Sequence, residues 1–159
     1  MSGQMPPPTL PPASRSIRLR PELGLLDDLV AFIEDFAEQH AWPVPDTRAF
    51  TLAAEELFAN TINHSHPPAT WVEFSLAMSP LVPDGVFASA TYADDALPFD
   101  PTAHPEVDTS LPLDQRPIGG LGIHFIRRTM RTFTYRRVDG SNQIAFGRAL
   151  TQLPPPAAS

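Results

Sequence analysis

Along residues 14–149 the hydrophobic positions recur with two different periods, and the switches between them divide the chain into elements. In Ser14–Arg20, Ile17 and Leu19 alternate with Ser16, Arg18 and Arg20, the two-residue period of a short half-buried strand that Pro21 ends. From Glu22 to His40 the apolar residues Leu26, Leu29, Val30, Ile33, Phe36 and Ala37 return at helical spacing, and Asp27, Asp28, Glu34, Asp35 and Glu38 form a solvated face. Pro43 and Pro45 break this pattern. Asp46 or Thr47 is then expected to cap a second helix that runs to about His64, with Ala53, Leu57 and Phe58 facing inward.

After His66-Pro67-Pro68 the period returns to two. Val72, Phe74 and Leu76 oppose Trp71, Glu73 and Ser75; Val86, Ala88, Ala90 and Tyr92 oppose Phe87, Ser89 and Thr91, which predicts a hairpin turning at Pro83-Asp84-Gly85. No period is sustained between Pro98 and Gly120, a stretch long enough to be read as a lid over a site. A third helix is expected from about Gly122, with Ile123, Ile126 and Met130 inward. Strands over Thr132–Arg137 and Gln143–Ala149 then flank an Asp139-Gly140 turn. The order β-α-α-β-β-lid-α-β-β predicts an α+β fold, a two-layer sandwich with helices on one face of a mostly antiparallel sheet.

Composition narrows the organisation. At 159 residues and 42% hydrophobic, the chain suits one domain with a real core. Eight of its 20 prolines lie in Met1–Pro12 and Pro154–Pro156, so residues 1–13 and 152–159 are expected as disordered tails around a domain at 14–151, its lid at about 98–120. The first dozen residues lack the apolar core of a secretion signal, and no apolar run approaches a membrane span; the expectation is a cytoplasmic protein. A net charge of −7 argues against a general nucleic-acid binder. Cysteine and lysine are both absent, which removes thiolate chemistry, Schiff bases and the phosphate-binding lysine of Walker-type NTPases.

Three segments carry candidate chemistry. Glu56 and Asn60 are four residues apart on the second helix and share a face, with Asn63 and His64 one turn further on. An amide oxygen is a hard neutral ligand suited to Mg²⁺, and a neighbouring carboxylate can take a proton; a Glu and an Asn on a solvated helix face give the same pattern. Asp94-Asp95-Ala96-Leu97-Pro98-Phe99-Asp100-Pro101 follows a strand end, where a carboxylate can accept a hydrogen bond from an exocyclic amine, although acids and prolines also favour plain turns. Ile118-Gly119-Gly120-Leu121-Gly122 opens a helix, where glycines let the backbone approach an anion; a flexible linker has the same composition. His64 and His66 read more simply as helix-end residues than as metal ligands, and Trp42 and Trp71 as core or dimer contacts.

In this order, the three segments resemble the conserved boxes of the Bergerat-fold (GHKL) ATPases. Glu56-Leu57-Phe58-Ala59-Asn60 with Asn63-His64 is similar to their N box, Asp94–Pro101 to the first glycine box, and Gly119-Gly120-Leu121-Gly122-Ile123-His124 to the second. The Pro-Phe-Asp-Pro ending and the closing Tyr135–Asn142 segment resemble the RsbW-like anti-sigma serine kinases of that superfamily, over about Ile17–Leu150.

That resemblance implies a nucleotide site for ATP and Mg²⁺. Asn60 would hold the metal, Glu56 would be the general base with Glu55 as its rival, and Asp94 would bind the adenine amine. Asn63 and Ala96 would also line the site, and Gly119, Gly120, Leu121 and Gly122 would wrap the phosphates. Ala96 stands where relatives carry glycine, and Ala145 stands near where they often carry a hydroxyl. With no lysine present, Arg116 is the candidate for the γ-phosphate. The implied function is an ATP-dependent serine/threonine kinase that phosphorylates a STAS-domain anti-anti-sigma partner and sequesters a sigma factor or similar regulator, with homodimerisation through the first strand and helix. The alternative is a nucleotide-sensing binding protein that acts by partner switching alone.

Overall fold

In the computed structural model, described over residues 13–103, 105, 110–112, 114 and 121–152, both periods become the elements they imply. Strand β1 (Ser14–Leu19) leads through a 3₁₀ turn (Leu23–Leu25) into helix α1 (Leu26–Gln39), followed by helix α2 (Val44–His64). The hairpin of β2 (Val72–Pro80) and β3 (Val86–Asp94) comes next, then a 3₁₀ turn (Pro101–Ala103), helix α3 (Leu121–Thr129), and the hairpin of β4 (Thr132–Val138) and β5 (Ser141–Ala149). The expected tails lie outside the described residues, apart from Ala13 and Gln152. Most of the expected lid lies outside them as well.

The five strands form one sheet in the order β1-β2-β3-β5-β4, every neighbouring pair antiparallel. Strict alternation decides its faces: Phe74, Leu76, Ala88, Ala90, Tyr92, Ile144 and Phe146 all turn inward and are buried. Leu29, Ile33 and Phe36 of α1 and Phe50, Ala53, Leu57 and Phe58 of α2 meet them, so the core lies between the helices and one sheet face. Phe146 joins the layers, its ring 5.8 Å from Phe50 on α2 and 6.4 Å from Phe74 on β2. At the Asp139-Gly140 turn both residues have positive φ, 47° and 78°, the two-residue connection whose twist matches that of the flanking strands.

The start of α2 departs from expectation. The cap position is Pro43, a proline lies in the first turn, and no side chain caps the helix. Asp46 is instead fully buried inside the helix: its carboxylate pairs with Arg148 Nε at 3.1 Å and accepts from the Thr151 backbone N–H at 3.0 Å and hydroxyl at 3.2 Å. Thr47 donates its hydroxyl back to the Pro43 carbonyl. Proline at the first helical positions has no N–H to satisfy, so the helix begins earlier and Asp46 is released to hold the end of β5. Trp42 is buried between Phe36 and Phe50, whereas Trp71 is half-buried with the Arg18 guanidinium 4.4 Å above its ring.

Candidate nucleotide site

The last two turns of α2, the end of β3, the loop after it and the start of β5 enclose a cleft of about 160 Å³. Its polar floor is Asp94, only 6% exposed, at the last position of β3. Asp94 Oδ1 accepts from Asn142 Nδ2 at 2.8 Å and from the Ala96 backbone N–H at 3.2 Å, and Oδ2 accepts from the Thr61 hydroxyl at 2.9 Å. These donors replace the hydration that a buried carboxylate gives up. Tyr92 completes the set, with its hydroxyl 2.6 Å from Thr61 Oγ1. Thr61 has one proton, which the geometry directs to Asp94 and the Leu57 carbonyl, so Tyr92 donates and Thr61 accepts. Burial, with the Asp94 charge adding to it, pushes the Tyr92 phenol far up and keeps that donor proton in place.

Of the paired acids, only Asp94 faces the cleft. Asp95 points the other way and accepts from the Thr70 hydroxyl and backbone N–H and from the Trp71 N–H, which ties the chain entering β2. Desolvation acts to raise its pKa, but these donors outweigh it and hold the carboxyl below the usual range.

Asn142, which the sequence reading did not single out, is the hub of the site. It is 2% exposed and lies opposite Asp94 in the β3–β5 register. Its Nδ2 also donates to the Leu97 carbonyl at 3.0 Å, and its Oδ1 accepts from the Phe99 N–H, the Tyr135 hydroxyl and Arg137 Nη1. One side chain thus pins the loop after β3 to the β4–β5 hairpin. The signal was available: Asn142, Ile144 and Phe146 share the inward face, and a polar residue on an otherwise apolar face is the unusual position.

Asn60 and His64 line the cleft, as does Ala96, which is 8% exposed. Among the described residues, positive φ occurs outside glycine only at Ala41 and Asp139, so Ala96 has no backbone need for glycine. Asn63 is exposed and does not line the cleft. The helix-end role expected of His64 falls to Ser65, whose hydroxyl donates to the Thr61 carbonyl at 2.5 Å and accepts from the Ala69 N–H at 3.1 Å. Ala145 faces away from the cleft, exposed between Thr91 and Thr134 on the outer face of the sheet; Ile144 is the cleft residue of that pair.

Glu56, one turn before Asn60, is half-buried and packs on Gly122 in the first turn of α3: a methyl built on Gly122 would fall within its carboxylate. Leu121 is about half exposed at the start of α3, while Arg116, Gly119 and Gly120 lie outside the described residues. At its far end α3 is tied to the turn after β3, Arg127 Nη2 donating to the Thr102 carbonyl at 2.8 Å.

Residues 19–147 match the family described as histidine kinase-like ATPase domain. The chain is 26% identical over 117 residues to the serine/threonine-protein kinase BtrW of Bordetella bronchiseptica, covering 74% of this chain and 80% of that protein. Its fold is similar to that in the crystal structure of the RsbU and RsbW domains of Rv1364c from Mycobacterium tuberculosis. The TM-score is 0.58 at 10% identity over 89% of this chain, which spans only 33% of the larger one. The RsbW-like resemblance and the α+β Bergerat architecture read from the sequence agree with these relationships. Among the described residues, no helix is long and apolar enough to cross a membrane.

Proposed function

Because the chain belongs to the histidine kinase-like ATPase domain family, we propose that it is an ATP-dependent serine/threonine kinase of a partner-switching system, which phosphorylates a STAS-domain anti-anti-sigma protein and otherwise sequesters a sigma factor or similar regulator. The observation that carries this reading is the buried, donor-held Asp94 facing a cleft that Asn60 of α2 also lines, with Glu56 one turn earlier on the same helix. The Asp94 carboxylate, oriented by Thr61 and Asn142, is the acceptor for the adenine amine. Hydrogen bonding to a fixed buried acceptor discriminates strongly against bases that lack the donor.

Among the described residues the Asn60 side chain makes no hydrogen bond, so its oxygen is available as the hard neutral ligand that Mg²⁺ accepts alongside phosphate oxygens and water. When bound there, the metal supplies charge neutralisation at the phosphates. Asn60 would hold it, Gly119, Gly120, Leu121 and Gly122 would offer backbone N–H groups to the phosphates, and Arg116 would be the cation for the γ-phosphate. Glu56 takes the proton of the partner's serine or threonine hydroxyl as that oxygen bonds to the γ-phosphorus. The bond from phosphorus to the β–γ bridging oxygen breaks, and ADP leaves with the electron pair.

Ala96 favours a second reading, because its methyl lines the cleft at a position where the family resemblance implies glycine: a nucleotide sensor that switches partners without turnover. Incubation with γ-labelled ATP, Mg²⁺ and the STAS protein separates the two. Label on a serine or threonine of the partner is the expected result; stable nucleotide binding with no transfer would leave only the sensor.

A further inference from the structure

We infer that Gly122 is a positioning residue for the Glu56 carboxylate: the glycine leaves the space in which the base is seated against α3. The inference rests on the reading of Glu56 as general base and concerns what places it.

A Cβ added at Gly122 would overlap three atoms of one side chain, Glu56 Cγ, Cδ and Oε2, and none closer from elsewhere in the protein. The carboxylate therefore lies directly on the backbone of the first turn of α3. A negative group is favoured there by the helix dipole and the N–H groups that end a helix. Nothing else among the described residues fixes it: the Glu56 side chain makes no hydrogen bond or ion pair within them. Its position is thus set by contact with α3. That helix is itself held at its far end by the bond from Arg127 to the turn at Pro101–Ala103, which follows the Asp94 loop. Through α3 the base is kept in register with the wall that carries Asp94.

The same geometry says what a methyl group at position 122 would do. It meets the far end of a flexible side chain rather than backbone, so the cheap response is for Glu56 to swing away while the fold persists. A glycine needed only for phosphate approach would behave differently, since its substitution would weaken nucleotide binding first.

The test uses the full chain with γ-labelled ATP and the STAS partner, a fluorescent ATP analogue for affinity, and thermal unfolding. Because alanine keeps the backbone N–H that position 122 would offer the phosphates, Gly122→Ala is expected to bind the analogue within about threefold of wild type. It should lose kcat for transfer about as far as Glu56→Gln, at least the 10²-fold lower end of general-base effects, and the two substitutions together should cost no more than one. Glu56→Asp, one methylene shorter, should restore part of the kcat in the Gly122→Ala background. In thermal unfolding, Gly122→Ala should raise the midpoint more in a Glu56→Ala background, where nothing is displaced, than in wild type. Full transfer by Gly122→Ala while Glu56→Gln is inactive overturns the inference and leaves the base assignment standing. Loss of analogue binding in Gly122→Ala likewise assigns the glycine to the phosphates instead. Full transfer by Glu56→Gln removes the base assignment and this inference with it, whereas an equal midpoint shift in both backgrounds contradicts the packing itself.

Discussion

Ala96 carries one methyl group in a cleft of about 160 Å³, and its backbone conformation is open to any residue, so the only cost of alanine there is space. Ala96→Gly should tighten ATP about threefold in calorimetry while lowering stability by about 0.5–1 kcal/mol through backbone entropy; weaker binding would mean a pocket already adapted to the methyl. At Asn60 the relevant property is the amide oxygen, not volume. Asn60→Ala should abolish Mg²⁺-dependent nucleotide binding and leave the unfolding midpoint nearly unchanged, and unaltered affinity would remove the metal assignment. Glu56 and Glu55 lie about 100° apart around α2, and only Glu56 meets Gly122. Glu56→Gln should therefore lose transfer while Glu55→Gln stays nearly silent in the same assay; the reverse pattern would move the base by one residue.

At the scale of elements, two carboxylates do structural work that their sequence neighbours do not. Asp46 locks α2 to the end of β5 through Arg148 and Thr151. Asp46→Asn should lower stability by about 3 kcal/mol, the low end for breaking a buried pair because Arg148 keeps partial contact with water; denaturant unfolding measures it. Asp95 joins the loop after β3 to the entry of β2, and its pKa is lower in the fold than in the unfolded chain. The unfolded state therefore binds its proton first as pH falls. The stabilisation is fully present above the ordinary aspartate value of about 3.9 and disappears as pH drops through the lower folded value. Thermal unfolding between neutral pH and about pH 3 should show a part of the acid destabilisation that is missing in Asp95→Asn.

For the whole molecule, the helices cover one face of the sheet, and Phe146 is the side chain through which β5, β2 and α2 meet. Phe146→Ala should cost about 3–5 kcal/mol, a large share of the 5–15 kcal/mol typical of a domain, and unfolding midpoints would reveal it. The periodicity of the chain alone determined the element order, the antiparallel hairpins and most of the core, because whether a position faces in or out follows from a repeat of 2 or 3.6 residues that any local window contains. It also located the Glu56–Asn60 face and the Asp94 segment, whose chemistry resides in residue type and local spacing. Only the tertiary structure decided which of Asp94 and Asp95 faces the cleft, that Asp46 is an anchor and not a cap, that Asn142 is the hub, and that Glu56 is seated on Gly122. Each of these depends on a partner far away in sequence. Strand register and helix packing bring Asn142 to Asp94 across 48 residues and Thr151 to Asp46 across 105, and no local pattern specifies which distant donor a buried carboxylate will find.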